Sequence, residues 1–191
     1  MDENNVITIK NIVHQVLNES VNYKNQIMIS RIKDLSLFKT PCHLRAISIL
    51  VCISGEIECS INLQTYRLGR YSVLINFPEN IIQLKSVNNL EAFAIILSSE
   101  FVRKLSMDML SVSHLFSYEA NRNAMFELPK EEIRHLSHYL AILEKSISAP
   151  INETSDSLMK YLVSAFMTEI MQLHNHYHPN TSTNVKGGKG K

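Results

Sequence analysis

Cysteine is scarce in this chain and never arranged as a motif. Only Cys42, Cys52 and Cys59 occur, all inside strand-like segments, with no C-x-x-C pair and no metal-type spacing. They read as buried free thiols rather than as a disulfide framework or a thiolate metal site. Long hydrophobic runs are missing too, since no stretch approaches the roughly 20 apolar residues that cross a bilayer. The opening MDENNVITIK is acidic and polar and no apolar signal core follows it, so the expectation is a cytoplasmic protein with no membrane span and no secretory leader. On that expectation the strings NES at Asn18 and NET at Asn152 are turn and helix-cap chemistry rather than glycosylation sites. A surplus of positive charge is also lacking. Net charge is +1, but three of the 19 basic residues are Lys186, Lys189 and Lys191 in the tail, which leaves 16 basic side chains against 18 acidic ones over residues 1–185. Such a body has no excess from which to build a large basic face, which argues against direct DNA binding by these residues alone.

Histidine is absent between His43 and His114. A metal centre built on imidazoles inside the strand-rich region therefore lacks its ligands. The string HNHYH sets His174, His176 and His178 at alternate positions, which suits either an adventitious Zn or Ni site or a helix end whose cations complement the dipole. His135 and His138 are expected to face solvent. No Ser/His/Asp or Cys/His set stands out, GxGxxG is missing, and GGKG in the tail lacks the strand and helix that a phosphate-binding loop requires. No cofactor is implied.

What the chain does contain is a sharp change of texture. Its 191 residues, 45% hydrophobic and 19% charged, suffice for one core and an appendage. Between Cys42 and Leu97 short β-branched runs are cut by Gly55, Gly69, Pro78 and Asn88-Asn89, whereas after Pro129 the pattern is amphipathic helix throughout. That order predicts a mostly β fold with C-terminal helices, a small barrel or sandwich carrying a helix pair, and not an alternating α/β enzyme.

Expected elements follow the punctuation. A short helix is foreshadowed by Ile9, Ile12, Val13 and Val16. Ile27–Ser30 and Leu35–Phe38 read as leading strands, and LRAISILVCIS is apolar on both parities, as in a strand buried on both faces. A turn is expected at Ser54-Gly55. Beyond it Ile57, Cys59, Ile61 and Leu63 alternate with polar residues as a core-facing row. TYRL, YSVLINF, IIQLKS and LEAFAIIL supply further strands, the last two split by a turn at Asn88-Asn89. Ser98 or Ser99 caps SSEFVRKLSMDML, the stretch from Met107 to Asn123 reads as broken helix and loop, and AMFEL is a final strand. Pro129 opens a helix whose Ile133, Leu136, Leu140, Leu143 and Ile147 form an a/d seam ended by Pro150. A second helix, capped by Asn152 or Thr154, runs to about His174. Its apolar face, with Phe166 and Ile170 near the centre, is wide enough to need two partners: the preceding helix, and either the barrel or a second subunit. The resulting division is an N-terminal arm over 1–24, a barrel over 25–128, a helix pair over 129–178 and a flexible tail over 179–191.

With catalysis unsupported, binding remains. His43 and Arg45 enter an otherwise apolar strand, and Tyr66, Tyr71, Phe77 and Gln83 lie on or beside strands that would line a barrel mouth. These six are candidate ligand contacts, and the alternative is that Arg45 ends in solvent and the tyrosines are core residues. Ile133, Leu136, Leu140, Leu143, Phe166 and Ile170 are candidates for a dimer interface.

The stretch from Ile47 to Ser86, with a strand ending in Gly55-Glu56, Asn62 ahead of a Tyr66-x-Leu68 strand, a Gly69 turn and Pro78 after an apolar strand, resembles the N-terminal half of AraC-type transcription regulators. The likeness, over about residues 25–178, is to forms common in gut Bacteroidetes. It implies a cupin-like jelly-roll barrel that senses a small-molecule effector, joined to an antiparallel pair of amphipathic helices that forms a homodimer. In that family about 100 further residues with two helix-turn-helix units contact DNA. This chain stops at Lys191, so DNA contact is expected only through a region it lacks. The competing expectation is a cupin-superfamily enzyme, an isomerase or dioxygenase.

Overall fold

The computed structural model describes residues 6–15, 20–32, 35–78, 80–105 and 124–177. In chain order these form β1 (Val6–Ile7), α1 (Ile9–Gln15), β2 (Ser20–Tyr23), β3 (Ile27–Ile32), a 3-10 turn (Ser36–Phe38), β4 (Cys42–Leu44), β5 (Ala46–Ile61), β6 (Gln64–Leu68), β7 (Ser72–Asn76), β8 (Ile81–Ser98), α2 (Ser99–Arg103), β9 (Met125–Glu127), α3 (Lys130–Ser148) and α4 (Ser155–Tyr177). The protein is mostly β with C-terminal helices. No helix among the described residues is long and apolar enough to cross a membrane. The expected segments 107–123 and 179–191, and His178, lie outside the described residues.

One sheet in the order β1-β4-β8-β5-β7-β9 runs through the molecule, with β3 on β8, β2 on β3 and β6 on β5. All pairings are antiparallel except β1 with β4. The expected barrel is therefore a sheet that is not closed. Its end strands, β1 with two residues and β9 with three, pair with β4 and β7 and not with each other.

β5 and β8, 16 and 18 residues long, pair along nearly their whole length and carry the curl. The punctuation at Ser54-Gly55 and at Asn88-Asn89 does not end them, as it was expected to. The two sites sit opposite each other, where the register slips between Cys52 and Ser54 and again between Ser54 and Glu56. Gly55 takes φ +81° and Asn89 takes φ +45°. A chain-breaking signal in one strand is thus matched by one in its partner, and the pair bends as a bulge without ending the ladder. A real turn lies further on, at Asn62 and Leu63, both with positive φ, as a two-residue hairpin connection requires. Leu63 is consequently 97% exposed and not part of the core-facing row. Leu35–Phe38, expected as a strand, includes instead the 3-10 turn at Ser36–Phe38, whose Phe38 amide donates to the Leu35 carbonyl at 2.9 Å.

Ser98 caps α2 as expected, its Oγ accepting from the Phe101 amide at 3.1 Å. Pro129 stands one step earlier than expected, at the N-cap of α3, where its carbonyl accepts from Glu132 and Ile133. Ala149 is extended, as the residue before a proline prefers, and the helix stops there. Asn152 Oδ1 then accepts from the Thr154 amide and hydroxyl at 3.0 and 2.9 Å, ahead of α4.

The main core lies between the sheet and the helix pair. Ile47, Ile49 and Val51 of β5, Val73 and Ile75 of β7, and Ile95 and Leu97 of β8 share one buried cluster with Leu136, Leu140 and Leu143 of α3 and Val163, Phe166, Met167 and Ile170 of α4. The broad apolar face of α4 therefore finds both of its partners, helix and sheet, inside this chain.

Candidate functional site

On three adjacent strands, alternation divides the residues between two environments. The odd positions of β5, β7 and β8 face the helices, as above. The even ones, Ser48 and Leu50, Leu74 and Asn76, Ala94 and Ile96, face a cavity of about 100 Å³ inside the curl. The cross-strand register explains the grouping. Ser48 lies opposite Asn76 and Ile96, and Leu50 lies opposite Leu74 and Ala94. Past the bulge the inward parity of β5 changes, so that Ile57, Cys59 and Ile61 take over, with Ile82 and Leu84 of β8 opposite the last two. Leu44 of β4 and Ile32 of β3 extend the wall, with Leu35 and Phe38 around the 3-10 turn.

Among the described residues the wall is nearly all carbon and holds no Asp, Glu, Lys, Arg or His. The Cys59 thiol on this wall is pushed up to about 11 by burial and by the nearby Glu58 carboxylate, so it is protonated at neutral pH. Two amides reach the wall, and they differ. Gln83 donates from Nε2 to the Lys39 carbonyl at 3.0 Å and accepts at Oε1 from Lys85 Nζ at 2.6 Å. Asn76 is 3% exposed, and among the described residues neither Oδ1 nor Nδ2 has a hydrogen-bond partner. Leaving a buried amide unpaired costs about 1–3 kcal/mol.

Of the six candidate ligand contacts, Gln83 lines this cavity and five do not. Tyr66 is buried beside it, across from Cys59 in the β5–β6 pair. Phe77 is part of the helix-facing core, and Tyr71 packs against that core with the Arg70 guanidinium 4.6 Å above its ring. Both fall on the side of the sheet away from the cavity. His43 and Arg45 come together elsewhere, in an outer cleft shared with Lys10, Ser99 and Glu100. Ser48 and Asn76 were missed, although each is a polar residue flanked by apolar neighbours, Ser48 by Ile47 and Ile49 and Asn76 by Ile75 and Phe77, the signal that would have found them.

The six residues expected at a dimer interface are buried within this single chain. Ile133, Leu136, Leu140, Leu143, Phe166 and Ile170 pack between the helices and the sheet, so none is available to a second copy in this arrangement. The apolar residues that the helix pair leaves outside are Ile142, Ile151, Leu158 and Tyr161.

Among the described residues, one set has the makings of a cation site: Glu132 and His135 of α3 with Glu169 of α4, whose ligand atoms lie within 4.8 Å of one another. His135 Nδ1 is 3.7 Å from Glu169 Oε1. None of the three belongs to the cavity wall. His174, expected at a fraying helix end, is half-buried with its ring edge-on to Phe126 at 5.3 Å.

Solved cupins and an AraC-like activator resemble this chain. A cupin family protein with a double-stranded β-helix fold from Methanocaldococcus jannaschii is 13% identical, with a TM-score of 0.37 over 45% of this chain and 83% of that one. ToxT from Vibrio cholerae, 13% identical, aligns with a TM-score of 0.42 over 78% of this chain and 56% of its own. The AraC-like transcriptional activator CuxR, 9% identical, aligns with a TM-score of 0.40 over 84% and 60% respectively. This chain thus spans little more than half the length of ToxT and of CuxR. No protein-family model matches it, and no curated protein does.

Proposed function

We propose that this chain is a regulatory module that senses a small molecule in the cavity inside its curled sheet and transmits the binding event to the helix pair. One observation carries the reading: on β5, β7 and β8, residues lining the cavity alternate with residues packed beneath α3 and α4. A ligand that displaces Leu50 or Leu74 acts on the same strands whose Ile49, Val51, Val73 and Ile75 support Leu136 and Phe166. Close-packed layers of this kind pass small displacements on.

The sequence resemblance supports the further proposal that the module serves an AraC-type regulator, with DNA contacted by residues other than these 191. Sensing fits the cavity better than catalysis does, because the wall offers neither a general acid or base nor a metal-ligand set at neutral pH. A homodimer, on the same reading, would form through the outward residues Leu158 and Tyr161 of α4.

Thermal-shift screening against metabolites tests the proposal. A ligand at 100 times its dissociation constant should add about 2.7 kcal/mol of stability. Ala94→Leu, which fills the cavity from its wall, should abolish the shift. A library that leaves the wild type unmoved, or a hit that moves wild type and Ala94→Leu alike, would count against the cavity as the sensor.

A further inference from the structure

Asn76 ends β7 with a buried carboxamide, and among the described residues nothing engages its Oδ1 or Nδ2. Gln83, the other amide at the wall, is bonded at both ends to groups outside it. Nothing charged lines the space, so an ion entering would leave water without a countercharge, while hydrocarbon would match Leu50, Leu74, Ala94 and Ile96. A bound water, which needs two to four polar partners, would find besides Asn76 only the Ser48 hydroxyl opposite and the Cys59 thiol among the described residues, and would satisfy the carboxamide only in part.

Building on the sensing proposal above, we infer that Asn76 is the specificity-determining residue of the cavity. It selects an uncharged, mostly hydrocarbon ligand bearing one head group that donates and accepts side by side, as a primary carboxamide does. Such a group pairs with Asn76 Oδ1 and Nδ2 together. At about 100 Å³ the space is smaller than the engineered cavity of about 150 Å³ that takes benzene. The ligand's enclosed part is therefore small, and a longer chain must extend beyond the cavity.

Hexanamide, hexanoate, hexylammonium and cyclopentane, titrated by calorimetry at pH 8 into wild type, Asn76→Leu and Ala94→Leu, make the test. Wild type should bind hexanamide more than tenfold tighter than either ion. Asn76→Leu should lose more than tenfold for hexanamide while keeping cyclopentane, and Ala94→Leu should bind neither. In wild type, the Asn76 side-chain amide resonances should shift with hexanamide, a readout that needs no variant to fold. If wild type binds cyclopentane but shows no preference for hexanamide, or Asn76→Leu binds hexanamide equally well, the assignment of Asn76 falls and the cavity reading stands. If wild type binds neither neutral probe, the cavity reading falls with it.

Discussion

Gly55 and Asn89 meet across β5 and β8 so closely that a Cβ on Gly55 would lie 2.3 Å from the Asn89 carbonyl oxygen. Both residues have positive φ, and the contact sits at the bend that carries the sheet from its helix-backed half to its hairpin half. Gly55→Ala therefore suffers twice, from the left-handed backbone and from a clash with main chain that no side-chain rotation relieves. The expected loss is about 1–3 kcal/mol, which in a chain of this size lowers the melting temperature by several degrees. A thermal melt superimposable on wild type would show that the bend tolerates a side chain.

Leu136 is fully buried between α3, α4 and the sheet. Truncation to Ala should cost about 2–5 kcal/mol, read as a fall in the urea midpoint at unchanged slope. Leu158→Ser, on the outer side of α4, should change stability by about 0.5 kcal/mol or less. Comparable losses for the two would contradict the assignment of inner and outer faces.

Self-association, if it uses the helix pair, should respond in the opposite order. Leu158 and Tyr161 are 46% and 71% exposed on the outer side of α4. Sedimentation should show a wild-type dimer at tens of micromolar converted to monomer by Leu158→Glu with Tyr161→Glu, with the far-ultraviolet circular dichroism unchanged and the melting temperature lowered only by the lost association. Monomeric wild-type protein, or a dimer indifferent to the double change, would remove the homodimer from the proposal.

Asp156 at the start of α4 accepts hydrogen bonds from Lys24 Nζ, at 2.7 Å, and from the Tyr23 hydroxyl, which tie the helix to the β2–β3 hairpin. The Lys24 bond, followed by that of Tyr23, holds the Asp156 carboxyl below the usual carboxylate range, while Asp156 raises Lys24. A lowered carboxyl pKa stabilises the fold above the unfolded-state value and stops doing so as pH falls through the folded one. The melting difference between wild type and Asp156→Asn should therefore be present at pH 7, shrink below about pH 4, and weaken in salt because the pair is exposed. A difference independent of pH would place the contribution in packing and not in charge.

Cys59 lines the cavity with a thiol raised to about 11. At pH 8 about 0.1% is thiolate, so iodoacetamide should label it far more slowly than a free peptide thiol. Any compound seated in the cavity should slow the reaction further. Rapid labelling at pH 8 would show that the wall opens readily to solvent.

Much of the fold was legible in the residues. Ser98 announced its cap and Pro150 the end of α3, and the spacing of Ile133, Leu136, Leu140 and Leu143 marked the buried face of that helix correctly, since local hydrogen bonding and periodicity act over a few residues. Gly55 and Asn88-Asn89 misled because a bulge and a turn use the same residue types. What separates them is whether a partner strand bends at the same place, and that is a long-range fact. The cavity was harder still. Phe77 and Asn76 are neighbours in sequence, yet one belongs to the helix core and the other to the cavity wall.

The amino-acid order alone determined that strands precede helices, where most elements begin and end, and that the strand-rich core offers no imidazole for a metal. Those are matters of composition, periodicity and capping, readable within one turn or one strand. Only the tertiary structure decided which parity of each strand looks inward, that the leucine seam is spent on this chain's own sheet, and that the Asn76 carboxamide has no partner among the described residues. Each of these depends on register and bulges across strands far apart in the chain, and a slip of one residue would have exchanged every inward side chain for an outward one.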